Sequence, residues 1–183
     1  MMQSQWNGYE ERTLLGCGVY PLRRTSTFTP DGPSQRMDEV VDASQGDEQQ
    51  DIVDEALYFL KPNLLRRVFP IKGAGDRVIL YITHYLYDCL KMLVGVKRED
   101  AQSLLLEYAT GVIAVPGDEE SRLGLFFPSG SSAEREEWML YARQLRAEAS
   151  SRLIEKVFMF AEEDGTGNKF WMVFAKRPFL LNT

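Results

Sequence analysis

The sequence predicts an all-α fold of about five helices, with one central helix at about 76–93 surrounded by the others, long loops and an extended C-terminal arm. Three observations predict it. Residues 76–93 are apolar or aromatic except on one narrow stripe, Arg77, His84, Asp88 and Lys91, which fall together at helical spacing. A helix apolar over most of its circumference belongs in the middle of a bundle. A second stripe, Trp138, Ala142, Leu145, Ala149, Leu153 and Val157, recurs at close to 3.6 residues. Between these segments lie stretches rich in Gly, Pro and Ser that cannot continue a helix.

In chain order, Gly16, Gly18 and Pro21 break any helix in residues 1–28, and Val19 to Leu22 reads as extended. Residues 29–50 carry Pro30, Gly32, Pro33 and a polar run from 44 to 50, so they are expected as a flexible polar loop within a single helical domain, 1–183. Residues 51–61 form a helix that Asp51 can cap, with Asp54 and Glu55 in its first turns and Ile52, Ala56, Phe59 and Leu60 on its apolar face. Pro62 stops it or opens a short helix over 63–69, and Pro70 with Gly73 and Gly75 makes a turn.

For the 76–93 segment, the β-branched pairs Val78–Ile79 and Ile82–Thr83 allow a strand, but the length of the run favours a helix. A shorter helix is expected over 99–108, followed by the Val115-Pro116-Gly117-Asp118 turn and a loop over 116–132. Ser131 and Glu134 have the spacing of a capping box. The helix they open runs over 132–158, about 40 Å at 1.5 Å per residue, with Glu148 and Arg152 as a favourable i,i+4 pair. Residues 161–169 form a polar turn. The aromatic tail, 170–181, is expected as a strand-like arm beside Val19 to Leu22.

The chain has 183 residues, 44% of them hydrophobic and 26% charged, enough to bury a sizeable core without metal or disulfide. Its net charge of −6 argues against non-specific nucleic-acid binding. The pairs Arg23–Arg24, Arg66–Arg67 and Lys176–Arg177 read as solvated pairs or protein contacts. Cys17 and Cys89 have no zinc or disulfide spacing and suit the reduced thiols of a cytoplasmic protein. Residues 1–8 carry no basic segment leading into an apolar run, so no signal peptide is expected. No membrane span is expected either. The apolar stretch 78–96 contains His84, Asp88 and Lys91, and a charge at the bilayer centre costs about 2.5–3.5 kcal/mol.

Chemistry has few candidates. His84 is the single histidine, and with Asp88 at i,i+4 it could form a hydrogen-bonded pair, but Cys89 lies about 100° further round the helix from Asp88. The pattern reads as a polar stripe rather than a catalytic pair. Gly16-Cys17-Gly18 and Gly73-Ala74-Gly75 lack the strand and helix context of a phosphate cradle. The acidic runs 118–120 and 162–164 read as solvated surface, so neither cofactor nor metal is expected. Trp138, Phe170 and Trp171 are among the largest apolar residues and read first as core. Lys176, Arg177 and Phe179 place two cations beside an aromatic, the residue types that anchor protein interfaces, and are the candidate interface residues.

Several blocks together carry a family resemblance: Asp51-Ile52-Val53-Asp54-Glu55-Ala56 with Lys61 and Asn63; Asp76-Arg77 with Ile79-Leu80-Tyr81-Ile82-Thr83 and Cys89-Leu90-Lys91; Val115-Pro116-Gly117-Asp118; Tyr141, Gln144-Leu145-Arg146, Glu148, Arg152-Leu153 and Glu155-Lys156-Val157-Phe158; and Lys169, Trp171, Phe174, Lys176-Arg177, Phe179 and Asn182. In this order they resemble subunit 3 of the actin-related protein 2/3 complex. The chain departs from that family at Leu123-Gly124-Leu125-Phe126-Phe127, in a longer 34–50 stretch, at Phe170 and at His84. The resemblance implies one helix wrapped by the others, and a non-catalytic structural subunit supporting actin filament nucleation and branching. It implies actin-related protein 3, the other subunits and the actin filament as partners, and the cytoplasmic actin cytoskeleton as location. A helical adaptor of another cytosolic complex is the alternative, and a small enzyme built on His84 and Asp88 is the third reading.

Overall fold

The computed structural model describes residues 3–9, 12–40, 49–118 and 123–179. Seven helices are present among them: α1 (Met37–Val40), α2 (Ile52–Tyr58), α3 (Leu60–Leu64), α4 (Ala74–Met92), α5 (Arg98–Thr110), α6 (Ser132–Phe158) and α7 (Lys169–Met172), with 3-10 turns at Gln5–Gly8, Gly124–Phe126 and Val173–Lys176. An all-α fold therefore holds only approximately, because β1 (Thr13–Leu14) and β2 (Cys17–Gly18) form a two-stranded antiparallel pair in register Thr13↔Gly18 and Leu14↔Cys17. Leu15 (φ 49°) and Gly16 (φ 75°) make the tight turn between them, a conformation that Gly16 adopts without strain and that suits a two-residue hairpin. The glycines that break a helix here serve the hairpin.

α4 is the central helix. Its residues are buried except Arg77, His84, Asp88, Lys91 and Met92, so the polar stripe is its one open face. α2, α3, α6, α7, β2 and the tail turn all pack on it. Trp138 of α6 is fully buried and meets Tyr81 of α4 edge to face at 4.9 Å. One hydrophobic cluster runs from Trp6 to Phe179.

α6 is the longest helix, and its bounds are those read from the sequence. Ser131 accepts the Glu134 N–H at 3.2 Å, but the Glu134 carboxylate accepts instead from Leu15 N at 2.8 Å and pins the hairpin to the helix. Gln144, Glu148 and Arg152, one helical turn apart, fasten the chain from 23 to 34. The Gln144 amide accepts from Ser34 N (2.9 Å) and donates to Pro30 O (3.2 Å). Glu148 accepts from the Thr25 (2.6 Å) and Thr29 (2.8 Å) hydroxyls. Arg152 donates to Asp51 (2.6 Å) and Arg23 O (3.0 Å). Glu148 and Arg152 also meet at 3.1 Å, so the expected i,i+4 pair is present, and it is buried. Of the stretch expected as a polar loop, 30–34 is held against α6, and 41–48 lies outside the described residues.

Two expectations are corrected. The helix opened by Asp51, whose side chain makes a reciprocal capping box with Asp54, ends at Tyr58, and α3 spans Leu60–Leu64 rather than 63–69. Pro62 sits in the first turn of α3, where its missing N–H leaves no intrahelical bond unmade. The tail is not a strand beside Val19 to Leu22: it forms α7 and a 3-10 turn against α4, and Leu22 bridges to Arg36 instead. Aromatic residues extend or coil according to what they pack on. Here Asn168 starts a helix before the arm can extend.

Candidate interface at the C-terminal tail

Asn168 builds this surface. Its side-chain Nδ2 donates to the carbonyls of Val157 (3.0 Å), Met159 (2.9 Å) and Lys156 (3.2 Å), satisfying the open end of α6. Its Oδ1 accepts from Trp171 N at 3.2 Å, which caps α7. One side chain thus joins the end of α6 to the start of α7. The connecting loop is tightened by Glu162 N to Thr166 O (3.0 Å) and by Lys169 N to the Glu162 carboxylate (2.8 Å).

The loop and α7 display apolar groups to solvent. Phe160, in the left-handed region at φ 57°, is 89% exposed, and Phe170 is 69% exposed. A non-glycine residue held there costs of order 1–3 kcal/mol and persists only where its surroundings fix it. Met159 and Val173 are exposed beside them. Around these groups stand cations. Lys61 Nζ lies 4.3 Å from the Trp171 ring centroid, Lys169 Nζ lies 5.5 Å from that of Phe170, and the Arg177 guanidinium lies 6.0 Å from that of Phe174. Burial, then the charge of Lys156, lowers the Lys61 pKa. Among the described residues, Lys61, Lys156, Lys169, Lys176 and Arg177 make no ion pair. On a chain of net charge −6, this face gathers cations and exposed aromatics beside the exposed acids Glu162, Glu163 and Asp164 of the loop.

The sequence-predicted residues separate here. Lys176 and Arg177 are exposed, as an interface needs. Phe179 is buried, its ring 5.6 Å from Tyr87, and the Tyr87 hydroxyl donates to Arg177 O, so Phe179 anchors the tail on α4. Lys61, Lys156, Phe160 and Phe170 were missed as members of this surface. Lys61 is 110 positions from Trp171, and no local pattern joins them.

His84 and Asp88 lie 3.6 Å apart, and Asp88 is shared with Lys91 (2.9 Å) and the Tyr108 hydroxyl (3.2 Å). Cys89 is fully buried, and burial pushes its thiol up to about 12, which keeps it protonated and a poor nucleophile. Cys17 is likewise buried and its pKa raised by burial, with Arg77 opposing. Among the described residues no group of three or more His, Cys, Asp or Glu is placed to hold a metal ion.

These features define a helical scaffold that offers a surface rather than a pocket with a nucleophile. The chain belongs to the P21-Arc family, the ARP2/3 complex ARPC3 (21 kDa) subunit, whose pattern it matches over residues 1–183. It is 35% identical over 140 residues to actin-related protein 2/3 complex subunit 3 of Dictyostelium discoideum, covering 75% of this chain and 79% of that one. The subunit 3 of Arabidopsis thaliana is 32% identical over 173 residues, 93% of this chain and 92% of its own length. That of Schizosaccharomyces pombe is 33% identical over 133 residues, 72% and 75%.

Proposed function

We propose that this chain is a non-catalytic structural subunit of the actin-related protein 2/3 complex, supporting actin filament nucleation and branching in the cytoplasm. The observation that carries this reading is the family match over the whole chain. No helix among the described residues is long and apolar enough to cross a membrane. The face of Lys176, Arg177, Phe160 and Phe170 docks on actin-related protein 3 or an adjoining subunit, with Phe179 holding the tail in the docking conformation. Exposed aromatics flanked by unpaired cations suit a partner surface that is both apolar and acidic.

Capture of the tagged chain from native cytosol, with bound proteins identified by mass, tests the reading: two actin-related proteins and several small subunits are expected. A capture without any actin-related protein would make the chain an adaptor of another complex. Within the complex, Arg177→Ala is expected to weaken incorporation by about tenfold, the loss of one interface cation. The same change should leave the melting temperature of the isolated chain within about 2 °C, because the side chain is exposed and in no ion pair. An equal loss of stability would make Arg177 a packing residue.

A further inference from the structure

Arg146, in the middle of α6, is 8% exposed, as buried as Arg152. Arg152 meets the carboxylates of Asp51, Asp54 and Glu148. Arg146 meets none among the described residues. Its Nε donates to the Tyr81 hydroxyl at 2.8 Å, and its Nη1 reaches only the Tyr108 carbonyl, at 3.5 Å. Its guanidinium carbon sits 4.8 Å from the Tyr85 ring centroid and 5.5 Å from that of Tyr108. Those two rings are stacked, 5.4 Å apart. Ring faces return part of the cost of taking a cation out of water, but a buried charge without a countercharge remains expensive.

The guanidinium lines an open cleft of about 630 Å³ between α4, α5 and the chain after α5. Asp88 is on the same wall, but its charge is taken by Lys91 at 2.9 Å and its remaining oxygen by the Tyr108 hydroxyl at 3.2 Å, so it does not neutralise Arg146. At the rim, Val112 is fully exposed beside Ala114 and Pro116. A cation with aromatic walls and an apolar rim matches a planar carboxylate attached to a chain that can also cover the rim. A free small anion would fill the floor and leave Val112 in water.

We propose that the Arg146 cleft receives an Asp or Glu side chain from a neighbouring chain of the assembly. The proposal rests on the reading of this protein as a complex subunit. Its lining shares no residue with the tail face.

The test uses the reconstituted complex. A photo-crosslinking residue at Val112, in an otherwise unaltered chain, is expected to join one neighbouring subunit at a peptide containing an acidic residue. Replacing that acid with Ala should weaken incorporation of the chain roughly ten- to a hundredfold, as loss of a charge-assisted bond does. Arg146→Gln should weaken it similarly. Because Arg146→Gln could also disturb the fold, the crosslink in the unaltered chain and the partner's substitution are read independently of it. Failure of the unaltered chain to enter the complex would sink the subunit reading itself. Normal entry with no Val112 crosslink, or an acid substitution without effect, would overturn the cleft proposal alone. Millimolar acetate or inorganic phosphate raising the melting temperature of the free chain but not of Arg146→Gln, with no crosslink, would overturn it in favour of a free anion.

Discussion

At the scale of single residues, the polar core decides more than its size suggests. Arg152 neutralises Asp51 and Glu148, both fully buried, and joins α6 to the cap of α2 and to the chain at Arg23. Removing one partner of such a cluster strands the others: Arg152→Ala is expected to cost about 3–5 kcal/mol in denaturant unfolding. Asp54 shows the balance of the cluster. Burial pushes its pKa up, but the hydrogen bond from Arg23 and the charge of Arg152 outweigh it, and the net shift is down. Its contribution is therefore present above the ordinary carboxylate range and lost as pH falls through the depressed folded value. Glu55 runs the other way. Burial raises its pKa against the opposing hydrogen bonds of Ser4 and Gln5, and no cation pairs with it among the described residues. A raised folded pKa favours the protonated form, so that stabilisation is full below the ordinary carboxylate value and is lost as pH rises through the raised one. At neutral pH Glu55 is a burden, and Glu55→Gln should gain stability relative to the parent at pH 7 and much less at pH 4. Unfolding midpoints of both proteins at the two pH values check this. An equal difference at both would mean that Glu55 does not titrate differently on folding.

At the scale of elements, Asn168 is the joint on which the tail depends. Asn168→Ala removes its bonds to two α6 carbonyls and to that of the C-cap Met159, and the cap of α7, at about 1–2 kcal/mol. Hydrogen exchange should show the loss mainly in 169–176. An even loss over the whole chain would place Asn168 in the global core. The same joint explains what was legible in the sequence. α4 and α6 could be read because their own periodicity states which face is buried: the stripe of Arg77, His84, Asp88 and Lys91 is the open face of α4. The Asp51 cap and Ser131 cap were legible for the same local reason. The hairpin rests on Leu15 at positive φ, tolerated because Leu15 is buried and its N–H is bound by Glu134, 119 positions away. The tail's path is decided by Tyr87 and Lys61, equally remote. Phe179 was read as surface beside two cations. The neighbouring ring on α4 makes it an anchor, while Lys176 and Arg177 stay outside.

At the scale of the whole molecule, the arrangement of charge matters more than its sum. A net charge of −6 keeps a 183-residue chain soluble and repels other acidic surfaces at long range. Lys61, Lys156, Lys169, Lys176 and Arg177 interrupt that field on one face, and the exposed Phe160 and Phe170 lie among them. If this face docks a partner, its cations orient the encounter with an acidic surface. Their effect belongs to the association rate and is screened by salt, since the Debye length falls from about 10 Å at 0.1 M to about 3 Å at 1 M. Association of the chain with its partners is therefore expected to slow about tenfold between roughly 0.05 and 0.5 M salt, with dissociation changing much less. Charge reversal at exposed positions, Lys156→Glu with Lys176→Glu, should lower the low-salt rate and flatten the salt dependence, while Phe170→Ala should leave the salt dependence intact and speed dissociation. Rates measured over a salt series for these variants separate steering from packing. A salt dependence unchanged by the charge reversal would move the steering surface elsewhere on the molecule, and the Arg146 cleft with Lys91 beside it would be the next face to examine.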